Sequence, residues 1–315
     1  MKRKMLNVPK GGYDGMKGFT IVEFLVAGLL SVIVLIAVVS SYFTSRKLND
    51  AANERLAIQQ DLRNAATLIV RDARMAGSFG CFNMSEHIEQ DVVSDVTQKK
   101  PLFSLKRNST RNSTNKLIPI AESSNIGYQG FTQRLNALIF QYGIDDANAS
   151  AETTVVSSCG AISKPGKQIP TLEDAKKELK IQDSDKEQNG NIARQRHVVN
   201  AYAVGRFGNN EEGLFRFQLD DKGEWGNPQL LAKKVKRMDV RYIYVSGCPE
   251  DEDAGKEEQF KYTGKFDSSV TPAGVEVLLD SGSDAKIAAS SDNIIYAYRI
   301  NATIRGGNVC ANRTL

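Results

Sequence analysis

Residues 17–45 read KGFTIVEFLVAGLLSVIVLIAVVSSYFTS. From Phe24 to Ser45, 22 consecutive residues carry no charge. As an α-helix this run is about 33 Å long, and the hydrocarbon core of a bilayer is about 30 Å thick. The sequence therefore predicts one membrane-spanning helix near the N-terminus.

Positive charge is concentrated in front of this helix. The chain of 315 residues has a formal net charge of +4, from 41 Lys and Arg against 37 Asp and Glu. Residues 1–18 contain five of the basic side chains and one acid, so residues 19–315 carry 36 of each sign. This asymmetry favours a cytoplasmic N-terminus and an exported remainder. The neutral remainder gives no global argument for nucleic acid binding. An apolar content of 41% excludes a wholly disordered or polytopic protein.

Three interpretations of the N-terminus compete. A secretory signal peptide needs small residues at a cleavage site after its apolar region, and Val38-Val39-Ser40-Ser41-Tyr42 fits that poorly. A plain signal anchor fits the hydropathy but leaves Glu23 unexplained. A carboxylate in an apolar span is unfavourable, so Glu23 is a functional candidate. The third interpretation includes the residues around this acid.

The segment from Lys17 to Glu23 resembles the cleavage and methylation signal of type IV prepilins and type II secretion pseudopilins. That signal has a basic residue and a glycine, a hydrophobic first mature residue, a glutamate at the fifth mature position and a long apolar run. The resemblance implies cleavage by a prepilin peptidase between Gly18 and Phe19, followed by N-methylation of Phe19. It also implies that Glu23 pairs with the Phe19 amine, its own or that of an adjacent subunit, and so sets axial register during assembly.

The helix is expected to continue past the membrane, because no proline occurs between Pro9 and Pro101. Gly77 is a suitable stop, which gives one helix of about 58 residues, roughly 87 Å long. Apolar residues recur at spacings of three and four in its second half: Ile58, Leu62, Ala65, Ile69, Ala73 and Ala76. Charged residues occupy other positions there: Arg55, Asp61, Arg63, Arg71, Asp72 and Arg74.

Further segments resemble a narrower group, the PilW-type minor pilins. Residues 62–66 and 71–81 read LRNAA and RDARMAGSFGC, and the group has a similar arginine-aspartate and Met-Ala-Gly run followed by a cysteine. Residues 230–242 and 298–305 are similar to its late strand and its last strand. Tyr244 and Val245 depart from the group, which often has a glycine turn there. Residues 85–195 match no pattern that we can name.

The exported part alternates with a period of two, which predicts half-buried antiparallel strands. The clearest examples are Phe215–Leu219 and Ile294–Ile304, and shorter ones are Ala137–Tyr142, Thr153–Val156, Val198–Val204 and Val275–Leu279. Thr171 and Asp174 predict a capped short helix through Leu179.

We therefore expect an α+β, type IV pilin-like fold. A long N-terminal helix, with a transmembrane half and an amphipathic half, would pack on an antiparallel β-sheet head with loop insertions. The expected divisions are a leader at 1–18, a transmembrane and assembly helix at 19–45, the amphipathic half at 46–80, a variable αβ-loop region at 81–195, and an antiparallel sheet region at 196–315 with a C-terminal disulfide.

Four cysteines lie in the exported part: Cys81, Cys159, Cys248 and Cys310. An even number in an oxidising compartment indicates two disulfides, for which three connectivities are open. We favour bonds between sequence neighbours, Cys81–Cys159 and Cys248–Cys310, each contributing about 4 kcal/mol in the chain-entropy model. Because no CxxC pair occurs, we expect no metal site.

A basic loop is a weaker candidate site. No acid occurs between Asp95 and Glu122, where the basic residues are Lys99, Lys100, Lys106, Arg107, Arg111 and Lys116. Such a cluster can neutralise DNA phosphates. Only Phe103 lies within it as a base-stacking candidate, so we favour a solvated loop or a contact with an acidic neighbour over DNA.

The chain has no GxSxG, P-loop or dinucleotide motif, so we expect neither enzymatic activity nor a cofactor. The resemblance implies a structural minor pilin that primes assembly of a type IV pilus and is incorporated in it, near the tip. Expected partners are other minor and major pilins, the prepilin peptidase, the inner-membrane assembly platform and a tip adhesin. The expected location is the inner membrane, with a periplasmic head, and after assembly the surface pilus. The alternatives are a type II secretion pseudopilin and a competence pilin that contacts DNA.

Overall fold

The computed structural model describes residues 18–96, 101–106, 115–182, 184–185, 191–208, 211–246, 259–280, 298–305 and 307. Its contacts divide the chain into two units, Met1–Ala57 and Ile58–Leu315. One helix, α1, runs from Ile21 to Met75. Gly77 follows it with φ of +79°, a left-handed conformation that glycine adopts readily at helix ends. The predicted long helix and its stop are confirmed.

In the first unit the described residues, 18–57, are all exposed, so this part of α1 is exposed on all sides. Its exposed side chains include large apolar ones throughout the run that starts at Phe24, and Leu25, Ile33 and Leu35 are examples. A helix that is apolar all round belongs in a bilayer or among other helices. Among the described residues, α1 is the one helix long and apolar enough to cross a membrane, which supports membrane association.

The second unit contains the end of α1, a short helix α2 (Leu172–Leu179) and the strands. In chain order the strands are β1 (Ser78–Phe79), β2 (Phe82–Asn83), β3 (Val92–Asp95), β4 (Ile120–Ser123), β5 (Phe131–Gln133), β6 (Ala137–Ile144), β7 (Thr154–Ser157), β8 (Ile162–Lys164), β9 (Ala193–Phe207), β10 (Glu211–Gln218), β11 (Gln229–Lys233), β12 (Arg237–Ser246), β13 (Gln259–Thr263), β14 (Gly274–Asp280) and β15 (Tyr298–Thr303). Single turns of 3-10 helix occur at Met84–Glu86, Glu89–Asp91 and Pro101–Phe103.

Two main sheets form the head. A nine-stranded sheet has the order β11-β10-β9-β7-β8-β3, with β6 paired to β4 and β9, and β5 paired to β9. A four-stranded sheet has the order β13-β12-β14-β15, and β1 pairs with β2 in a separate hairpin. The pairings are antiparallel except that of β3 with β8, so the expectation of a wholly antiparallel head needs correction. A parallel pair requires a long crossover, which the chain between Asp95 and Ile162 provides.

The amphipathic half of α1 packs on these sheets. Five of the six residues of the predicted apolar stripe are buried, and Ile58 is partly buried beside them. They share one hydrophobic cluster with residues of both sheets, such as Tyr202 on β9 and Val275 on β14. The period of three and four in the sequence therefore identified the buried face.

Most predicted strands appear at the expected places, and β9 is longer than expected, at 15 residues. The predicted helix cap is also present, because the Thr171 hydroxyl accepts a hydrogen bond from the Asp174 N–H at 3.1 Å. The last predicted strand is described from Tyr298 onward, and residues 294–297 lie outside the described part. Residues 85–195, which matched no pattern, contribute the six strands from β3 to β8 and the start of β9.

Candidate functional site

The Gly18–Phe19 peptide bond is open to an approaching enzyme. The Phe19 side chain is 84% exposed. Among the described residues, no atom outside the chain neighbours of Gly18 lies within 4 Å of the place where a Cβ on Gly18 would stand. Both residues precede the first helical residue, Ile21, so the bond lies outside the helix.

Glu23 takes part in a cap at the start of α1. Its Oε2 accepts hydrogen bonds from the Thr20 N–H and the Thr20 hydroxyl, each at 3.0 Å. The Glu23 N–H in turn donates to Thr20 Oγ1 at 3.3 Å. This reciprocal pattern is a capping box. Our sequence analysis missed it, although threonine followed three residues later by glutamate is its signature. Among the described residues, Oε1 of Glu23 has no partner.

Asp72 is the clearest site that the sequence analysis missed. We placed it with the charged positions outside the apolar stripe, but it is completely buried. Its Oδ1 accepts from Tyr142 OH at 2.9 Å and from the Arg71 guanidinium at 3.1 Å. Its position three residues after Ile69 puts it on the buried face of the helix, and that spacing was the available signal.

The second oxygen of Asp72 is held by the long strand β9. Oδ2 accepts from Tyr202 OH at 2.6 Å and from Asn200 Nδ2 at 2.8 Å. Arg216 on β10 lies 3.6 Å away and is mostly buried. The carboxylate thus meets four donors and two guanidinium charges, which is how a buried charge is tolerated.

This environment changes the acidity of the tyrosines. Burial and then the negative charge of Asp72 raise the pKa of Tyr142 to about 12, and the same causes raise the pKa of Tyr202 further. Both hydroxyls are therefore neutral donors at physiological pH. The cluster joins α1 to β6, β9 and β10, so it ties the helix to the nine-stranded sheet.

The predicted Cys81–Cys159 disulfide is present and joins two positions with a sequence separation of 78. Cys81 lies in the turn between β1 and β2, and Cys159 lies in the turn between β7 and β8. The Ser157 hydroxyl adds a 2.6 Å hydrogen bond to the Phe79 carbonyl beside it. The other predicted pair, Cys248 and Cys310, lies outside the described residues.

The structure gives the basic loop little support as a DNA site. Lys106 forms a 3.5 Å ion pair with Glu89, and Lys116 is exposed. Phe103, the stacking candidate, is 1% exposed and stacks on His197 with ring centroids 5.3 Å apart, so it is not available to bases. The remaining members of the cluster lie outside the described residues: Lys99, Lys100, Arg107 and Arg111.

Phe103 belongs to a second buried polar cluster. The Lys164 ammonium is completely buried, donates to the Phe103 carbonyl at 2.9 Å and lies 3.2 Å from Nδ1 of His197. His197 Nε2 lies 3.2 Å from Gln141 Oε1, and Gln141 donates to the Ile118 carbonyl. These contacts join β6, β8 and β9, so the cluster ties strands together.

Within the described part of the chain, no group of three His, Cys, Asp or Glu is placed to hold a metal ion. Comparison with models of known families, with curated proteins and with solved structures finds no match.

Proposed function

We propose that this protein is a minor pilin of the PilW type, which primes assembly of a type IV pilus and is incorporated in it. The observation that carries the proposal is the combination found in α1. The helix starts just after Gly18–Phe19, presents an exposed apolar surface over its first half and ends buried in a β-rich head. Leaving that surface in water would cost about 25 cal/mol per Å², so it needs lipid or other helices around it.

Lipid and other helices surround the apolar half of α1 at two successive stages, before and after pilus assembly. Before assembly, the apolar half of the helix crosses the inner membrane, with the leader in the cytoplasm and the head in the periplasm. Prepilin peptidase cleaves after Gly18, and the new Phe19 amine is methylated. On extraction by the assembly platform, the same surface packs among the helices of other minor and major pilins, and a tip adhesin is a further partner.

Glu23 is suited to both stages. In lipid an unpaired carboxylate is unfavourable, and the bonds from Thr20 offset part of that cost. In the assembled helix bundle, its second oxygen is the acceptor for the Phe19 ammonium of its own or a neighbouring subunit. A charge pair inside an apolar bundle has few alternative partners, so it sets the axial register of the helices.

Processing tests the assignment of the motif. We expect Gly18→Val to block cleavage, because the peptidase must approach the backbone where the new side chain stands. Gly12→Val changes another leader glycine and should leave cleavage intact. Mass spectrometry of the membrane-bound protein measures both, and a normally cleaved, methylated Phe19 in Gly18→Val would contradict the proposal.

Assembly tests the role of the charge. Glu23→Gln removes the charge but keeps a residue that suits the capping box, so membrane insertion and processing should be normal while surface piliation falls. Asp50→Asn, which removes an exposed acid from the same helix, is the matched control. Unchanged piliation with Glu23→Gln, in cells where deleting the gene abolishes pili, would show that Glu23 does not set register.

A further inference from the structure

Strand β13 is an exposed edge of the four-stranded sheet. Within the described residues it pairs with β12 alone, through five residues from Gln259 to Thr263. In this part of the chain, its outer N–H and C=O groups therefore have no strand partner, and a further strand can pair with them. The aromatic side chains of Phe260 and Tyr262 are each 57% exposed on one face of this strand.

The opposite face of β13 borders a groove of about 520 Å³. Lys261 lies opposite Tyr244 in the strand register, and both line the groove. Lys265 and Phe266, which follow β13 in the chain, also line it. Both lysines are exposed. One acid, Asp267, also lines the groove. Its carboxylate accepts from the Ser269 N–H and hydroxyl at 2.9 and 2.6 Å and keeps its charge, so two lysines face one acid there. The groove therefore presents positive charge beside aromatic surface.

Two other edge strands of the main sheets, β15 and β11, differ from β13. On β15, Arg299, Asn301 and Thr303 are the exposed residues, and on β11 the ends are Gln229 and Lys233. No large apolar side chain on either strand is more than about a third exposed, whereas β13 exposes two. Two exposed aromatic side chains on an edge strand are unfavourable for a monomer and favour a partner, while Lys261 between them restricts which partner can pair.

The charge of Lys261 distinguishes a second copy of this chain from another protein as the partner of β13. Lys261 is the central residue of the five in β13, so a centred antiparallel pairing with a second copy of this chain would place the two Lys261 side chains opposite each other. Like charges directly opposite each other are destabilising. A strand with acids on the groove side and apolar residues on the aromatic side would satisfy both faces at once.

We propose that the edge of β13 docks an extended segment of another protein, whose alternate side chains are acidic and apolar. The segment adds a strand to the four-stranded sheet, its acids meet Lys261 and Lys265, and its apolar side chains cover Phe260 and Tyr262. This site would give the head a partner contact that does not use the N-terminal helix. The inference goes beyond the proposed function and does not depend on processing at Gly18.

The test uses the full chain in detergent micelles and two labelled ten-residue peptides. In one, glutamate alternates with valine and threonine, and in the other lysine replaces glutamate. Fluorescence anisotropy should show binding of the acidic peptide only. Lys261→Glu should weaken it on the order of tenfold. Lys233→Glu, the same charge change on the edge strand β11, should alter it less than about twofold.

Hydrogen exchange then identifies the mode of binding. The acidic peptide should slow exchange in residues 259–263 and leave residues 298–303 unchanged. The proposal is overturned if the acidic peptide does not bind or if both peptides bind equally. It is also overturned if the two variants lose the same affinity, or if the peptide protects β15 instead of β13. Self-association that protects 259–263 and is lost in Tyr262→Thr would also overturn it, by assigning the edge to a second copy.

Discussion

At the scale of single residues, Asp72 shows how a charge inside an apolar core can stabilise the fold. Its two oxygens receive bonds from four side chains on α1, β6 and β9, and Arg216 adds a charge from β10. The free-energy cost of burying the carboxylate is offset only because all of these partners are in place. Removing the acceptor would leave hydroxyl, amide and guanidinium donors together without a counter-charge.

We therefore expect Asp72→Asn to lower the free energy of unfolding of the head by about 3 kcal/mol. Urea titration of the full chain in micelles, followed by circular dichroism, measures it. Asp61→Asn is the matched control, because Asp61 lies on the same helix, is partly exposed and has no side-chain hydrogen bond among the described residues. If both variants lose the same free energy of unfolding, the hydrogen-bond network around Asp72 does not clamp the helix.

At the scale of elements, the Cys81–Cys159 bond joins two turns that are distant in sequence. It connects the β1–β2 hairpin, just after α1, to the β7–β8 turn of the large sheet. Gly80 beside it has φ of +68°, and a Cβ there would come within 2.7 Å of Ala193 Cβ, so the hairpin lies very close to β9. The disulfide therefore fixes the β1–β2 hairpin, which has only two residues in each strand, against the nine-stranded sheet.

Replacing both Cys81 and Cys159 by serine should lower the free energy of unfolding by about 4 kcal/mol, because the unfolded chain regains the freedom of a long loop. Each single variant already breaks the bond, so the double variant should cost no more than the larger single one. Additive losses would mean that the cross-link is not the source of stability.

Non-reducing peptide mapping tests both predicted disulfides, including the pair Cys248 and Cys310. The map should recover Cys81 with Cys159, as in the structure. Cys248 with Cys310 stays a prediction, which a linked peptide would confirm and two free thiols would contradict.

At the scale of the whole molecule, four tyrosines make stability depend on alkaline pH. Burial, followed by the charge of a nearby acid, raises the pKa of Tyr142 to about 12 and raises those of Tyr202 and Tyr242 further. Burial likewise raises the pKa of Tyr244 to about 12. In the unfolded chain tyrosine titrates near 10, so the unfolded state loses its protons first.

The contribution of these groups is therefore fully present below about pH 10 and is lost as pH rises from there through about 12. We expect the urea midpoint to be level near pH 8 and to fall steeply above about pH 10. Tyr142→Phe should lower stability at pH 8, because a hydrogen bond to Asp72 is lost, and should make the alkaline decline shallower. A slope unchanged by Tyr142→Phe would contradict this origin.

The sequence alone determined the features that depend on neighbouring residues. The extent of α1 follows from a charge-free run and the absence of proline, and its stop at Gly77 follows from the backbone freedom of glycine. The buried stripe from Leu62 to Ala76 and the half-buried strand Tyr298–Thr303 follow from periods of three to four and of two. Each of these patterns repeats within a few residues, so it can be read without knowing the rest of the fold.

Only the tertiary structure decided which distant residues meet. Asp72 and Tyr202 are 130 positions apart, and the hydrogen bond between them turns an apparently exposed acid into a buried clamp. The parallel pairing of β3 with β8 and the exposed edge at β13 likewise depend on the order of strands in the sheets. Local periodicity places a side chain on one face of its own element. It does not specify which element covers that face, because the covering contacts form between segments that are separated by long loops.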